Sequence, residues 1–531
     1  LPQRHVWDEF MKIFKLLFAL CLSIAGFFPL NQALAETQNP ETELLFDLHF
    51  AGLKALKVGD QGVFLKNILT TPGTKDVQQY LAKRMAETGL HSFCGTNAIN
   101  TLLDNEIYVL KLKSPEVFVF AAKLGPIDAL GRYKAAKALI PSEKAIVETK
   151  TLPGGKAESW TVPSESGSSK TISYGNGWFL YASYPNTAKD LIPQTLTLGE
   201  YPLTSLGTNY LTLKADWEEI GIKAPLTENF KKIDLTCWQQ GDNVRSKFKV
   251  QLKDKMNLSQ AEWKLPKDIV SDPTVQFTAL RGSDQILAKN DFWKSISGGQ
   301  ISPDQCYMYA HNGNPLSTTV LLNTTNSLNG VKDIGNGLNT WFTQNYKDIK
   351  FPQMAINTNA VELGWFGWPL ITPFVRRAIN NESAGYVMCG LILKRPHGKP
   401  LSDELWGNIT KDPKLFYYSW EITGYRLPQW QAVNSLFRSL LSSPVERKHI
   451  DPKTATKEEI ATQKKELNNR KLQKQREEKV AGWIVNISKN LGNCITTGIQ
   501  ESEDTLVFER QSACGFTALE LWFLTEWIMD R

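Results

Sequence analysis

The sequence predicts an α+β protein of several domains, with a helix-rich N-terminal region followed by mixed antiparallel sheet and helix units, and a duplication suggested within it. Three observations lead there. The chain has 531 residues, more than one ordinary hydrophobic core accommodates, which implies roughly two to four domains. Its composition, 42% apolar and 21% charged with 36 Gly and 26 Pro, is that of a packed globular protein and excludes a collagenous, coiled-coil or disordered chain. Its periodicity changes along the length, helical at first and then dominated by period-two alternation and turn residues.

The order of elements begins with an address. Residues 1–10 precede Met11 and read as an upstream extension, and residues 11–35 read as an export signal. Lys12 and Lys15 open it, Ile13 to Phe28 is apolar, Pro29 breaks the run, and Ala33-Leu34-Ala35 fits a small-residue cleavage site. Cleavage there makes Glu36 the first mature residue, and the expected destination is the periplasm or the exterior. No later apolar stretch is long enough to span a bilayer, so no transmembrane span is expected after signal cleavage.

Residues 36–150 read as helix-rich. Thr74 stands as an N-cap, Val77, Tyr80, Leu81 and Met85 share one helical face, and Gly89 supplies the stop. Ile107 to Lys113 alternates like a strand, and Ala-rich helical sequence resumes after Pro115. Residues 151–272 read as β-rich. Trp178 to Tyr184 is strand-like, and Lys232 to Gln239 with Val244 to Leu252 flank Gly241-Asp242-Asn243 as a hairpin. Residues 273–445 alternate strands with helices, closing on a strand over Lys414 to Gly424 and a helix opened by Pro428. Residues 446–479, with eleven Lys or Arg against seven Asp or Glu, have too few apolar positions for a core face and read as a charged helical or flexible insertion. Residues 480–531 read as a helix, a hairpin and a helix completing the α+β region. An internal echo, Asp216-Trp217-Glu218-Glu219-Ile220-Gly221 against Ser419-Trp420-Glu421-Ile422-Thr423-Gly424, suggests the duplicated half.

The formal charge of +6 sits largely in that one charged run, so a concentrated basic face for nucleic acid is not expected. Removing the signal leaves six cysteines, Cys94, Cys237, Cys306, Cys389, Cys494 and Cys514. That even number is compatible with three disulfides in an oxidising compartment, with connectivity open. No CxxC occurs, and the histidines lack ligand spacing, so neither metal nor cofactor is expected.

Cys94-Gly95-Thr96-Asn97 precedes helical sequence, where free N–H groups and the helix dipole favour a thiolate. Cys94 is therefore the best candidate nucleophile, with His311 or His397 as its base and Asn312 as an orienter. The Cys-Gly resembles the start of the central helix in papain-like cysteine peptidases, although the upstream Gln and the aromatic residues that follow the cysteine in that family are missing here. A carbohydrate site is suggested by Trp365, Phe366 and Trp368, adjacent aromatics flanked by glycine whose faces suit sugar stacking. Asp216, Glu218 and Glu421 supply carboxylates for glycoside hydrolysis, whose separation the sequence does not fix. Gly154-Gly155-Lys156-Ala157 fails the phosphate-loop pattern, and no GxSxG elbow occurs.

Trp420-Glu421-Ile422-Thr423-Gly424-Tyr425-Arg426-Leu427-Pro428-Gln429-Trp430 and Gly515-Phe516-Thr517-Ala518-Leu519-Glu520-Leu521 resemble a family of exported bacterial proteins of unknown function. The resemblance covers mainly the second half of the chain and implies export and a shared α+β architecture, with no catalytic residues to carry over. The expected function is a non-catalytic role, binding or structural, in the periplasm or cell envelope, with a protein or carbohydrate partner and no nucleic acid. The alternative is an exported hydrolase using Cys94 or paired carboxylates.

Overall fold

A computed structural model of the chain describes residues 43–529 apart from 59–60, 88–102, 140–142, 153–154, 166, 188–205, 207, 221–228, 259–260, 289, 298–301, 315, 346–353, 358–361, 366–370, 380–384, 393–397 and 442–456. The first ten strands are β1 (Glu43–Phe50), β2 (Ile107–Ser114), β3 (Val117–Lys123), β4 (Ile146–Leu152), β5 (Gly155–Pro163), β6 (Ser168–Gly175), β7 (Trp178–Pro185), β8 (Asn209–Asp216), β9 (Phe230–Gln240) and β10 (Asn243–Leu252). The next ten are β11 (Thr274–Arg281), β12 (Gln305–His311), β13 (Thr319–Asn323), β14 (Met354–Asn357), β15 (Glu362–Trp365), β16 (Phe374–Ile379), β17 (Gly385–Gly390), β18 (Leu415–Ile422), β19 (Asn493–Ser502) and β20 (Thr505–Ser512). Helices α1 (Leu53–Leu56), α2 (Val63–Thr70) and α3 (Thr74–Glu87) follow β1, α4 (Pro126–Leu139) follows β3, and α5 (Trp217–Ile220) follows β8. In the second half α6 (Ser283–Leu287) and α7 (Asp291–Ser297) follow β11, α8 (Ser327–Asn345) follows β13, and α9 (Asp403–Thr410) precedes β18. Helices α10 (Thr423–Leu441) and α11 (Lys457–Ser488) follow β18, and α12 (Ala518–Met529) follows β20.

All twenty strands of the described residues belong to one sheet. Its order runs β4-β5-β6-β7-β3-β2-β1-β8-β9-β10-β20-β19-β18-β11-β12-β13-β17-β16-β15-β14, and every neighbouring pair is antiparallel. Adding ten to each strand number of the first half reproduces the second half read from its far end. The chain therefore builds one ten-strand arrangement twice and joins the copies through β10 and β20, which pair from Val244↔Ser512 to Gln251↔Thr505. The two members of the Trp-Glu echo lie at the ends of equivalent strands, β8 and β18.

This arrangement corrects the expected fold class. The N-terminal region is not helix-rich, because β1, β2 and β3 run through it and pair into the common sheet. In β1, Leu44, Phe46, Leu48 and Phe50 alternate at period two, a strand signal within the region expected to be helix-rich. In β3, the run Val117-Phe118-Val119-Phe120 sits between β2 and β7 and is β-branched and aromatic rather than helical. The strands do not divide into separate sheet and helix units, since the ladder of pairs is unbroken from β4 to β14. Cross-strand pairing buries their alternate faces, and that burial outweighs local helix propensity.

In the second half both faces of the sheet are covered. Along β12, Cys306 and Met308 enter one core while Tyr307 and Tyr309 enter another, as period two requires. The larger core lies against α2, α3 and α10–α12, through residues such as Ile68, Val77, Trp430, Trp483 and Trp522. Each such side chain contributes about 1.5–3 kcal/mol when fully buried. Thr74 begins α3 but does not cap it. Its hydroxyl donates to Ile68 O at 2.8 Å and accepts from Trp483 Nε1 at 2.8 Å, tying α3 to α11. The charged run is helical over residues 457–479 as the first part of α11, whose later Val480, Trp483, Ile484 and Ile487 are buried. Among the described residues, no helix is long and apolar enough to cross a membrane.

Candidate functional site

The two segments that carry the family resemblance meet in space. The last turn of β18 delivers Glu421 to the N-terminus of α12, where its Oε1 accepts the Ala518 N–H at 2.6 Å and the Thr423 hydroxyl at 2.9 Å. A helix N-terminus leaves N–H groups without intrahelical partners, and a carboxylate is well suited to accept them. Thr517 and Glu520 form a capping box at the same end. The Thr517 hydroxyl accepts the Glu520 N–H at 3.3 Å, and Glu520 Oε2 accepts the Thr517 N–H at 2.7 Å. Burial pushes the Glu421 carboxyl above its ordinary value, against the opposing bonds from Ala518 and Thr423 and the charge of Arg426.

Glu520 also closes a buried ion pair. Arg510 on β20 reaches it bidentately, Nη1 to Oε2 at 2.7 Å and Nη2 to Oε1 at 3.1 Å, and donates further to Thr496 Oγ1 at 3.0 Å and Gly515 O at 3.0 Å. Burial alone would lower the Arg510 pKa, but the charge and hydrogen bonds of Glu520, together with smaller contributions from neighbouring groups, outweigh it and hold the guanidinium protonated. Pairing and hydrogen bonding together are what allow charges to remain in an interior.

Arg426, one turn into α10, is fully buried. Its Nε donates to Gln276 Oε1 at 2.6 Å, Nη1 to Gln429 Oε1 and Nη2 to Thr318 Oγ1 at 3.3 Å, while its Cζ lies 4.2 Å from the Trp430 ring centroid. Burial depresses its pKa to about 9, with Glu421 opposing. Gln429 passes the network on by donating from Nε2 to His311 O at 3.1 Å. His311 itself is buried, and its Nε2 donates to Ser271 O at 2.9 Å. Trp430 and Trp522 stack at 6.5 Å with planes 29° apart, fastening α10 to α12 beside this network. Chemically the arrangement fixes two helices to the sheet, with its donors and acceptors directed at one another.

A second titratable group lies on the first half of the sheet. Asp47, Lys214, Asp234 and Lys249 stand opposite one another in register across β1, β8, β9 and β10, alternating in sign. Burial pushes Asp234 up to about 6, against Lys214 and Lys249, and raises Asp47. Nearby, His49 is 2% exposed and its Nε2 meets Glu106 Oε1 at 2.9 Å. Burial would raise the Glu106 carboxyl, but His49 and Lys123 outweigh it and hold it low. These groups come from four strands scattered along the chain, so no sequence spacing announces them. Several of them also sit among other polar residues of their strands, as Lys249 does between Lys247 and Gln251 on β10.

The structure places some of the candidates read from the sequence. Cys94, His397, Phe366 and Trp368 lie outside the described residues. Trp365, on β15, is 5% exposed and packs in the larger core. Asp216 caps α5 through the Glu219 N–H at 3.1 Å, and Glu218 pairs with Lys253 at 3.2 Å. β8 and β18 are five strand spacings apart, about 24 Å along the sheet, whereas paired glycosidase carboxylates sit about 5–9.5 Å apart. The described cysteines, Cys237, Cys306, Cys389, Cys494 and Cys514, are all free and buried, so no disulfide links any two of them. Burial pushes the thiols of Cys237, Cys306, Cys389 and Cys514 up to about 12. Among the described residues no three metal-ligating side chains lie together.

No protein-family model matches the chain, and no curated protein matches it. Two crystal forms of TP0453 are similar structures. Form IV is 8% identical with a TM-score of 0.20, covering 40% of this chain and 77% of that one. Form III is 9% identical with a TM-score of 0.20, covering 43% and 84%. A likeness this low carries no inference about fold or function.

Proposed function

We propose that the protein belongs to the exported bacterial family its two signature segments resemble, and that it acts without catalysis in the periplasm or cell envelope as a binding or structural protein. The observation that carries this reading is the use made of Glu421, Arg426, Arg510 and Glu520. The charged residues of the signature and the Arg that meets them all face inward and fasten helices to the sheet. A signature built this way specifies a scaffold rather than a reaction. The partner is a protein or carbohydrate of the envelope. With the Trp365 ring engaged by the core, sugar stacking would fall to Phe366 and Trp368.

Fractionation of cells producing the full chain, with intact-mass analysis and iodoacetamide mapping under native conditions, tests the proposal. Expected are export, a mature protein starting at Glu36, and slow labelling of Cys94. Cytoplasmic material retaining residues 11–35 contradicts export. Rapid Cys94 alkylation that falls away in His397→Ala contradicts the non-catalytic reading and favours the cysteine hydrolase.

A further inference from the structure

We propose that two copies of this protein associate through β4, edge to edge and antiparallel, with Thr149 on the two-fold axis. β4 ends the strand order and, among the described residues, pairs only with β5. Six of its seven residues are exposed, including Ile146 at 54% and Val147 at 49%. The strand at the other end of the sheet, β14, is only four residues long. Natural sheets blunt their edges with proline, bulges, clustered charge or short strands. β4 has no proline and pairs with β5 in unbroken register. Among the described residues no strand pairs along its outer backbone edge, and the strand carries one acidic and one basic residue, both exposed.

The occupant follows from symmetry and charge. In an antiparallel pair, residues that face each other both direct their backbone groups toward the partner or both away from it. A two-fold pair must therefore centre on a residue and not between two. Three centres preserve most of the overlap. Centring on Glu148 sets Glu against Glu, and centring on Lys150 sets Lys against Lys. Centring on Thr149 places Glu148 of each copy opposite Lys150 of the other, Val147 opposite Thr151 and Ile146 opposite Leu152. Opposite charges across strands stabilise a pair and like charges disfavour it, so one register survives. The molecule already uses this device internally, where its two halves join. Lys247 on β10 faces Glu509 on β20 with a 3.1 Å ion pair.

Sedimentation equilibrium of the full chain at low ionic strength, over micromolar to near-millimolar concentration, tests the proposal with Glu148→Lys, Lys150→Glu and the double exchange. Wild type is expected to dimerise with concentration. Each single exchange should weaken dimerisation at least tenfold by creating two like-charge pairs. An equimolar mixture of the two single variants should form a heterodimer, because both facing pairs then have opposite sign, and the double exchange should recover the homodimer. These positions are exposed, and circular dichroism of each variant checks that it folds. A wild type that stays monomeric over the range overturns the proposal. So do single variants that associate like wild type, or a mixture that fails to associate.

Discussion

The Glu421 carboxylate accepts the Ala518 backbone N–H at 2.6 Å across 97 positions of chain, so the end of one strand sets the start of the C-terminal helix. Glu421→Ala is expected to strand the Ala518 N–H and the Thr423 hydroxyl in the interior, at ~1–3 kcal/mol for each buried group left unsatisfied. Glu421→Gln keeps an acceptor and should lose clearly less. Urea midpoints of the two variants check this.

Arg510 and Glu520 are expected to behave as a unit. Arg510→Met leaves Glu520 buried without its partner and should cost about 3–5 kcal/mol. Adding Glu520→Gln, which removes the stranded charge while keeping an acceptor for the Thr517 N–H, should recover part of that loss. A double-mutant cycle in urea is expected to give a coupling energy of about 0.5–3 kcal/mol.

Asp234 sets a pH dependence of defined sign. Its folded pKa of about 6 exceeds the model-peptide value of 3.8, so between those values the folded state binds more protons than the unfolded one. Stability from this group is therefore greatest below pH 3.8 and is lost as pH rises through 6. Urea midpoints of wild type and Asp234→Asn, compared from pH 4 to 7, should differ in slope over that interval and run parallel above it.

Gly337 on α8 faces backbone, and Gly335 faces a side chain. A Cβ at Gly337 would lie 1.9 Å from Ile296 O on α7, whereas one at Gly335 would meet the tip of Leu363. The carbonyl cannot move without shifting a helix, while the leucine can change rotamer. Thermal melts should show Gly337→Ala much less stable than Gly335→Ala.

What the sequence made legible was local. The hairpin around Gly241-Asp242-Asn243 reads directly from its turn residues and alternation, and β9 and β10 form there. The strand at Lys414 to Gly424 and the helix after it were legible for the same reason. Pro428, however, lies inside α10, which begins at Thr423. The capping box Thr517-x-x-Glu520 is present in the letters, but its Arg510 partner cannot be inferred without the fold. Pairing order was invisible, since β10 meets β20 only after the whole second half has been laid down. β3 is ambiguous in the sequence, because a short apolar run beside an Ala-rich segment satisfies either period until a neighbouring strand decides, whereas β1 carries its own period-two signal.

The central claim is that two ten-strand halves become one sheet by pairing β10 with β20. Lys247→Cys with Glu509→Cys tests it most directly, because residues directly opposite on antiparallel strands have Cα atoms about 4.5–5.5 Å apart, within disulfide range. The native cysteines described are buried and should not compete. Mild oxidation of the folded chain is expected to give an intramolecular 247–509 disulfide in nearly all molecules, seen as a reducible mobility shift and in the peptide map. Absence of that bond, with both thiols still open to labelling in the native protein, would contradict the joined sheet.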